Sequence, residues 1–101
     1  MSRLAPTVEI DTSVGAAYVR FESEQTPVAR SKQIDRAGYP TVTIDYDQKG
    51  KLIGVELQGV VEFSVSRLLE LAQVQAPNAD LGGARYIGAG HSPFSAVPSR
   101  A

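Results

Sequence analysis

The chain has 101 residues, a net charge of −1 and no cysteine. That length allows one core and no second domain. The absence of cysteine excludes a disulfide framework, a thiolate metal site and a cysteine nucleophile. The near-neutral charge, with a pI near 5.7, argues against docking on phosphates of nucleic acid, which requires a strong positive field. With 43% hydrophobic and 21% charged residues, the composition is that of a globular chain rather than a disordered one. The longest apolar stretches are strand-sized, and no signal peptide or membrane span is visible. The expected location is therefore cytoplasmic.

Met1 to Pro6 reads as a lead-in. Thr7-Val8-Glu9-Ile10-Asp11 alternates polar and apolar residues and predicts a first strand. Ser13-Val14-Gly15 is a turn, and Ala16 to Glu22 is a second strand. Ala17, Val19 and Phe21 lie on one of its faces; Tyr18, Arg20 and Glu22 lie on the other. Val28 to Ile34 is a third strand whose charges, Arg30 and Lys32, suit an edge position. Asp35-Arg36-Ala37-Gly38-Tyr39-Pro40 is turn chemistry. Thr41 to Tyr46 and Lys51 to Leu57 form a hairpin about Asp47-Gln48-Lys49-Gly50, with Gly50 placed for a left-handed conformation.

A helix follows. Ser64 is the expected N-cap, and Val65, Leu68, Leu69 and Ala72 recur at i, i+3, i+4 and i+7, with Leu71 and Val74 widening the stripe. Pro77 ends it. From Gln75 to Ala101 the composition shifts to Gly, Ala, Ser and Pro, which reads as an extended tail, although Tyr86, Ile87, Phe94 and Val97 are large for one. The expected architecture is α+β. A curved antiparallel β-meander of four to five strands packs against one C-terminal helix over residues 1–74, and a Gly/Pro/Ser-rich tail follows over 75–101.

Ala16-Ala17-Tyr18-Val19-Arg20-Phe21, followed by Thr43-Ile44-Asp45-Tyr46-Asp47-Gln48-Lys49-Gly50-Lys51-Leu52-Ile53-Gly54-Val55-Glu56-Leu57, resembles the small prokaryotic proteins grouped as a domain of unknown function, number twenty-two eighty-three. The likeness runs from about Val8 to about Leu71. Members usually begin with Tyr-Asp where this chain has Ile10-Asp11, and carry an acidic turn where it has Thr12 to Gly15. The resemblance implies a compact antiparallel sheet with a helix. It brings no catalytic residues. Some members are encoded beside small ribonuclease-like toxins, which implies an antitoxin-like partner role.

No candidate chemistry outweighs its structural alternative. Asp45 to Gly50 lacks the further oxygen ligands of a calcium loop, because Lys49, Lys51 and Leu52 occupy those positions. His91 stands alone beside Ser92 in the tail, without a rigid partner for base or metal work. Gly82-Gly83 and Gly88-Ala89-Gly90 lack the strand-to-helix context of a phosphate loop. Arg20, Arg30, Lys32 and Arg36 are interleaved with Glu22, Glu24 and Asp35, which favours a self-neutralised surface. The reading is a non-enzymatic, antitoxin-like or regulatory interaction module with no cofactor, no metal and no catalytic set. It acts as a homo-oligomer or with a protein partner, not with nucleic acid, a membrane or a small-molecule substrate. The expected interface residues are Tyr18, Arg20, Val65, Leu68, Leu71, Tyr86 and Phe94. A phage or mobile-element inhibitor of a host enzyme fits the same features. The alternative of another class is a small hydrolase or metal- or ligand-binding protein built on Asp11, Asp45 and Asp47.

Overall fold

A computed structural model of the chain describes residues 5–21, 26–75 and 79–88. Strands β1 (Thr7–Asp11), β2 (Ala16–Arg20), β3 (Arg30–Ile34), β4 (Thr41–Tyr46), β5 (Leu52–Gln58) and β6 (Arg85–Gly88) form one sheet in the order β3-β4-β5-β2-β1-β6. One helix, α1 (Val65–Ala72), covers one face. The class is α+β.

The expected β4–β5 hairpin forms, and the consecutive strands β1–β2 and β3–β4 also pair antiparallel. In β1–β2, Val8 lies opposite Val19 and Ile10 opposite Ala17; in β4–β5, Val42 lies opposite Leu57 and Ile44 opposite Val55. The turn between β4 and β5 is held by Asp47, whose Oδ1 accepts from the Lys49 and Lys51 amides at 2.9 and 2.8 Å. Gly50 takes the left-handed conformation there, φ 80°, and the ladder is irregular at Asp45/Tyr46.

Three features differ from the sequence expectation. The sheet has six strands rather than four to five, and it is mixed, because β6 runs parallel to β1. It is not a meander: β2 pairs with β5, Ala17 opposite Leu57 and Val19 opposite Val55, so the chain crosses from β2 to the far edge before β3. The helix is followed by β6 and so is not the last element. The strand order has a physical reason. The apolar rows of the two hairpins complete one continuous face only when β2 meets β5. Residues 79–88, expected within an extended tail, are fixed by the same core: Ala79, Leu81 and Ala84 pack against it, and Arg85–Gly88 extends the sheet.

The core is the helix-facing side of that sheet. Val8, Ala17, Val19, Phe21, Val42, Ile44, Val55 and Leu57 pack with Val65, Leu68, Leu69 and Ala72 of the helix. The helix stops at Gln73, which adopts a left-handed conformation (φ 57°, ψ 41°); its amide and that of Val74 return to the Glu70 and Leu69 carbonyls. Pro77, the expected terminator, lies outside the described residues.

Ser64 occupies the N-cap position but makes no side-chain cap. The Val65 amide instead donates to the phenol oxygen of Tyr86 at 3.0 Å. An otherwise unpaired amide of the first helical turn is thus satisfied from β6, across the core, rather than from its own turn. Tyr86→Phe is therefore expected to lower stability by about 1 kcal/mol, and Ser64→Ala by less than about 0.5 kcal/mol. Urea unfolding monitored by circular dichroism compares the two variants, and a larger loss for Ser64→Ala contradicts this assignment.

Candidate functional site

The face of the sheet opposite the helix is polar. Strand register places Thr7, Arg20, Gly54, Asp45 and Ser31 on one row across it, and Glu9, Tyr18, Glu56, Thr43 and Gln33 on the next. The central member is Tyr18. Its phenol crosses from β2 over β5 and donates to Asp45 Oδ2 on β4 at 2.8 Å. Ser31 on β3 donates to the other carboxylate oxygen, Oδ1, at 2.6 Å.

Gly54 makes this reach possible. A Cβ at position 54 would stand 2.5 Å from the Tyr18 hydroxyl and 2.6 to 2.7 Å from ring carbons. The ring thus lies flat on the bare backbone of β5, a close approach that only glycine permits. Arg20 completes the cluster. Its guanidinium carbon lies 4.9 Å from the Tyr18 ring centroid and Nη2 lies 3.9 Å from Glu9 Oε2. Glu9 is 1% exposed and Tyr18 is 8% exposed, so the centre of this ionic layer is buried, while Arg20 is 22% exposed and Ser31 at its β3 end is open to solvent.

Burial pushes the Tyr18 phenol well above its ordinary pKa, and the hydrogen bond to Asp45 and the charge of that carboxylate push it the same way. The phenol is a fixed donor at any physiological pH. Asp45 accepts from two hydroxyls, an arrangement that immobilises it. The array reads as a strut whose members come from three strands, β2, β4 and β3.

The expected site residues fall in different environments. Tyr18 and Arg20 are together in the polar layer. Val65 and Leu68 are buried in the core, 5% and 0% exposed. That corrects the expectation that they meet a partner: their side of the helix is covered by the sheet. Leu71 is half-buried at the end of the helix, and Tyr86 is half-exposed while serving as the cap described above. Phe94 and His91 lie outside the described residues.

The proposed acidic cluster resolves into separate local roles. Asp11 accepts from the amide and hydroxyl of Ser13, Asp45 is the strut, and Asp47 holds the hairpin turn. Among the described residues no three His, Asp or Glu side chains are grouped to hold a metal.

Two surface features stand out, of which only the first escaped the sequence reading; the edge position of β3 was expected from Arg30 and Lys32. A cleft of about 280 Å³ at the C-terminal end of α1 is lined by Arg36, Tyr39, Arg67, Glu70, Leu71 and Gln73. Arg36 donates to the Leu71 carbonyl at 2.6 Å and stacks 4.6 Å from the Tyr39 ring centroid; it caps the helix from the β3–β4 loop. Arg67 pairs with Glu70 at 2.6 Å. The second is the free side of β3, a terminal strand that among the described residues pairs only with β4. Arg30, Ser31, Lys32 and Gln33 are all exposed.

A family described as protein of unknown function (DUF2283) matches residues 7–60. The chain belongs to this family. The match spans β1 through β5, so the DUF2283 segment contains both hairpins, their junction, the Tyr18–Gly54–Asp45 strut and the β3 edge, and it ends before α1. No curated protein and no solved structure matches the chain. No helix among the described residues is long and apolar enough to cross a membrane.

The strut predicts two measurable effects. Gly54→Ala is expected to cost about 1–3 kcal/mol, because the Tyr18 ring must move. Tyr18→Phe is expected to cost about 1.5 kcal/mol at neutral pH. The folded state holds this phenol protonated above its ordinary pKa. Its contribution is therefore complete below about pH 10 and is lost as pH rises beyond that, where the unfolded phenol ionises first. The stability difference between wild type and Tyr18→Phe, followed by urea unfolding from pH 7 to 11.5, should shrink at the alkaline end; a constant difference contradicts the assignment.

Proposed function

We propose that this DUF2283 chain is a non-enzymatic protein-interaction module, of the antitoxin-like or regulatory kind, and that it binds its partner along the open edge of β3. The observation that supports this reading is the contrast between β3 and every other apolar or hydrogen-bonding element described. The stripe of α1 is buried against the sheet. β1, β2, β4 and β5 are paired on both sides. The terminal strand β6 is four residues long. β3 is a five-residue strand, with the Ala29 amide adding a further bond to the Tyr46 carbonyl at 2.8 Å, and among the described residues one whole side of its backbone is without a strand.

An exposed edge of that length is a template for strand addition, in which main-chain hydrogen bonds supply affinity and alternate side chains supply specificity. Val28, 49% exposed two residues before the strand, offers an apolar contact at its entrance. The buried ionic layer favours the same reading. It ties β4 and β3 to β2 through Asp45, which holds the edge strand rigid and lowers the ordering cost of binding.

The test is hydrogen exchange on a reconstituted complex. A partner retained by the immobilised chain from an extract of its own cells is purified and recombined with it. The amides of residues 29–34 should gain protection on binding, at least about tenfold where they face the added strand. Protection confined to α1, β6 or the cleft at Arg36, with residues 29–34 unchanged, would remove β3 as the binding edge.

A further inference from the structure

We infer that the segment received by β3 is an extended, acidic one, with carboxylates at alternate positions, and that it comes from a different protein rather than from a second copy of this chain. The inference rests on the reading of β3 as the binding edge and names the chemistry of what it binds.

The argument begins with register. Arg30 pairs with Tyr46 and Lys32 with Ile44, so both cations stand on the helix side of the sheet. Lys32 lies at the open end of the row that runs through Ile44, Val55 and Val19, and Arg30 at the end of the row through Tyr46 and Leu52. Arg30 is fixed in direction, its guanidinium carbon 4.8 Å from the Tyr46 ring centroid. On the opposite face, β3 shows only Ser31 and Gln33, neither charged. β3 itself thus carries two positive charges and no negative one. The first acid beyond it, Asp35, accepts from Gln33 Nε2 at 3.4 Å, on the far side of the strand from the two cations.

A strand laid along β3 sets every second side chain beside Arg30 and Lys32. Opposite charges at such cross-strand positions stabilise the pairing and like charges oppose it. A second copy of β3, paired antiparallel, brings Arg30 and Lys32 of both copies onto one face of the joined sheet, four cations on adjacent strands. Self-addition is therefore disfavoured by the same charges that favour an acidic guest. Positive charge on an edge also serves to prevent aggregation; that role alone predicts rejection of all strands, whereas the present inference predicts selective acceptance.

The experiment uses the full chain and three labelled nonapeptides that alternate valine with glutamate, lysine or threonine. Binding is read by fluorescence anisotropy, and its location by backbone amide shifts. The glutamate peptide should bind at least about tenfold more tightly than the lysine peptide, with shifts centred on residues 28–34, and its advantage should shrink in 0.5 M salt. The double variant Arg30→Glu/Lys32→Glu, checked for an unchanged thermal midpoint, should reverse the preference. Equal binding of all three peptides at β3 overturns the acidic chemistry and leaves the edge reading intact. Shifts by none of them at β3 overturn both. Concentration-dependent self-association of the free chain that shifts the same amides shows the guest to be a second copy and likewise overturns the inference.

Discussion

Everything else in this fold depends on the junction between β2 and β5. On one side of it β1–β2 is a two-stranded ribbon, which is marginal in water by itself, and on the other β3–β4–β5 is a three-stranded one. At the junction Ala17 meets Leu57 and Val19 meets Val55, and the two apolar rows become one surface wide enough for α1. On the reverse side the Tyr18 ring lies across Gly54 and its hydroxyl is held by Asp45. Neither face is sufficient by itself. The apolar rows are non-directional and would tolerate other pairings; the strut is directional and specifies this one. A register slip by one residue would carry the Tyr18 ring off the glycine and also reverse which side chains face the helix.

How much of this could be read from the residues follows from the range of the interactions. The two hairpins are local, and their alternation, Asp47 turn and left-handed Gly50 are legible. The helix is legible from Val65, Leu68, Leu69 and Ala72. The strut is not, because its members lie 27 residues apart in sequence and Gly54 looks like an ordinary interruption of a strand. Tyr18 sits on the polar side of an alternating pattern, where periodicity predicts exposure; it is buried because Gly54, diagonal to it on β5 and opposite Arg20, has no side chain and lets the ring lie down. β6 was equally hidden. Arg85-Tyr86-Ile87-Gly88 has too short a pattern and too many small residues around it, and it becomes a strand because β1 offers a free edge and Tyr86 reaches the first turn of α1. Tyr86 and Ile87, conspicuous in a small-residue segment, were the available signal.

The polar layer raises an energetic question. Glu9 and Arg20 are held largely out of water with an ion pair only 3.9 Å apart. An ion pair held out of water is weak evidence for stability, because the cost of desolvation offsets the attraction. Its value lies in specification. Carboxylates and a guanidinium tolerate few alternative arrangements once desolvated, and here they are threaded between the strands that must find one another. The family match ends at residue 60, which places the whole layer inside the family segment and leaves the helix that closes the opposite face outside it.

The two ends of the sheet are treated differently, and the difference has a functional consequence. At one end β6 covers β1, and its tyrosine satisfies the helix, so that edge belongs to the core. At the other end the core rows terminate in Lys32 beside buried Ile44 and in Arg30 stacked on Tyr46. A long basic side chain at that position shields apolar surface with its stem while presenting its charge outward. The edge is thus chemically marked without being blocked: no proline, no bulge within β3 and no covering element among the described residues closes it. Proline or a bulge would exclude every incoming strand. Charge excludes only strands of the same sign, so of the available ways to protect an edge this one alone leaves it selectively usable.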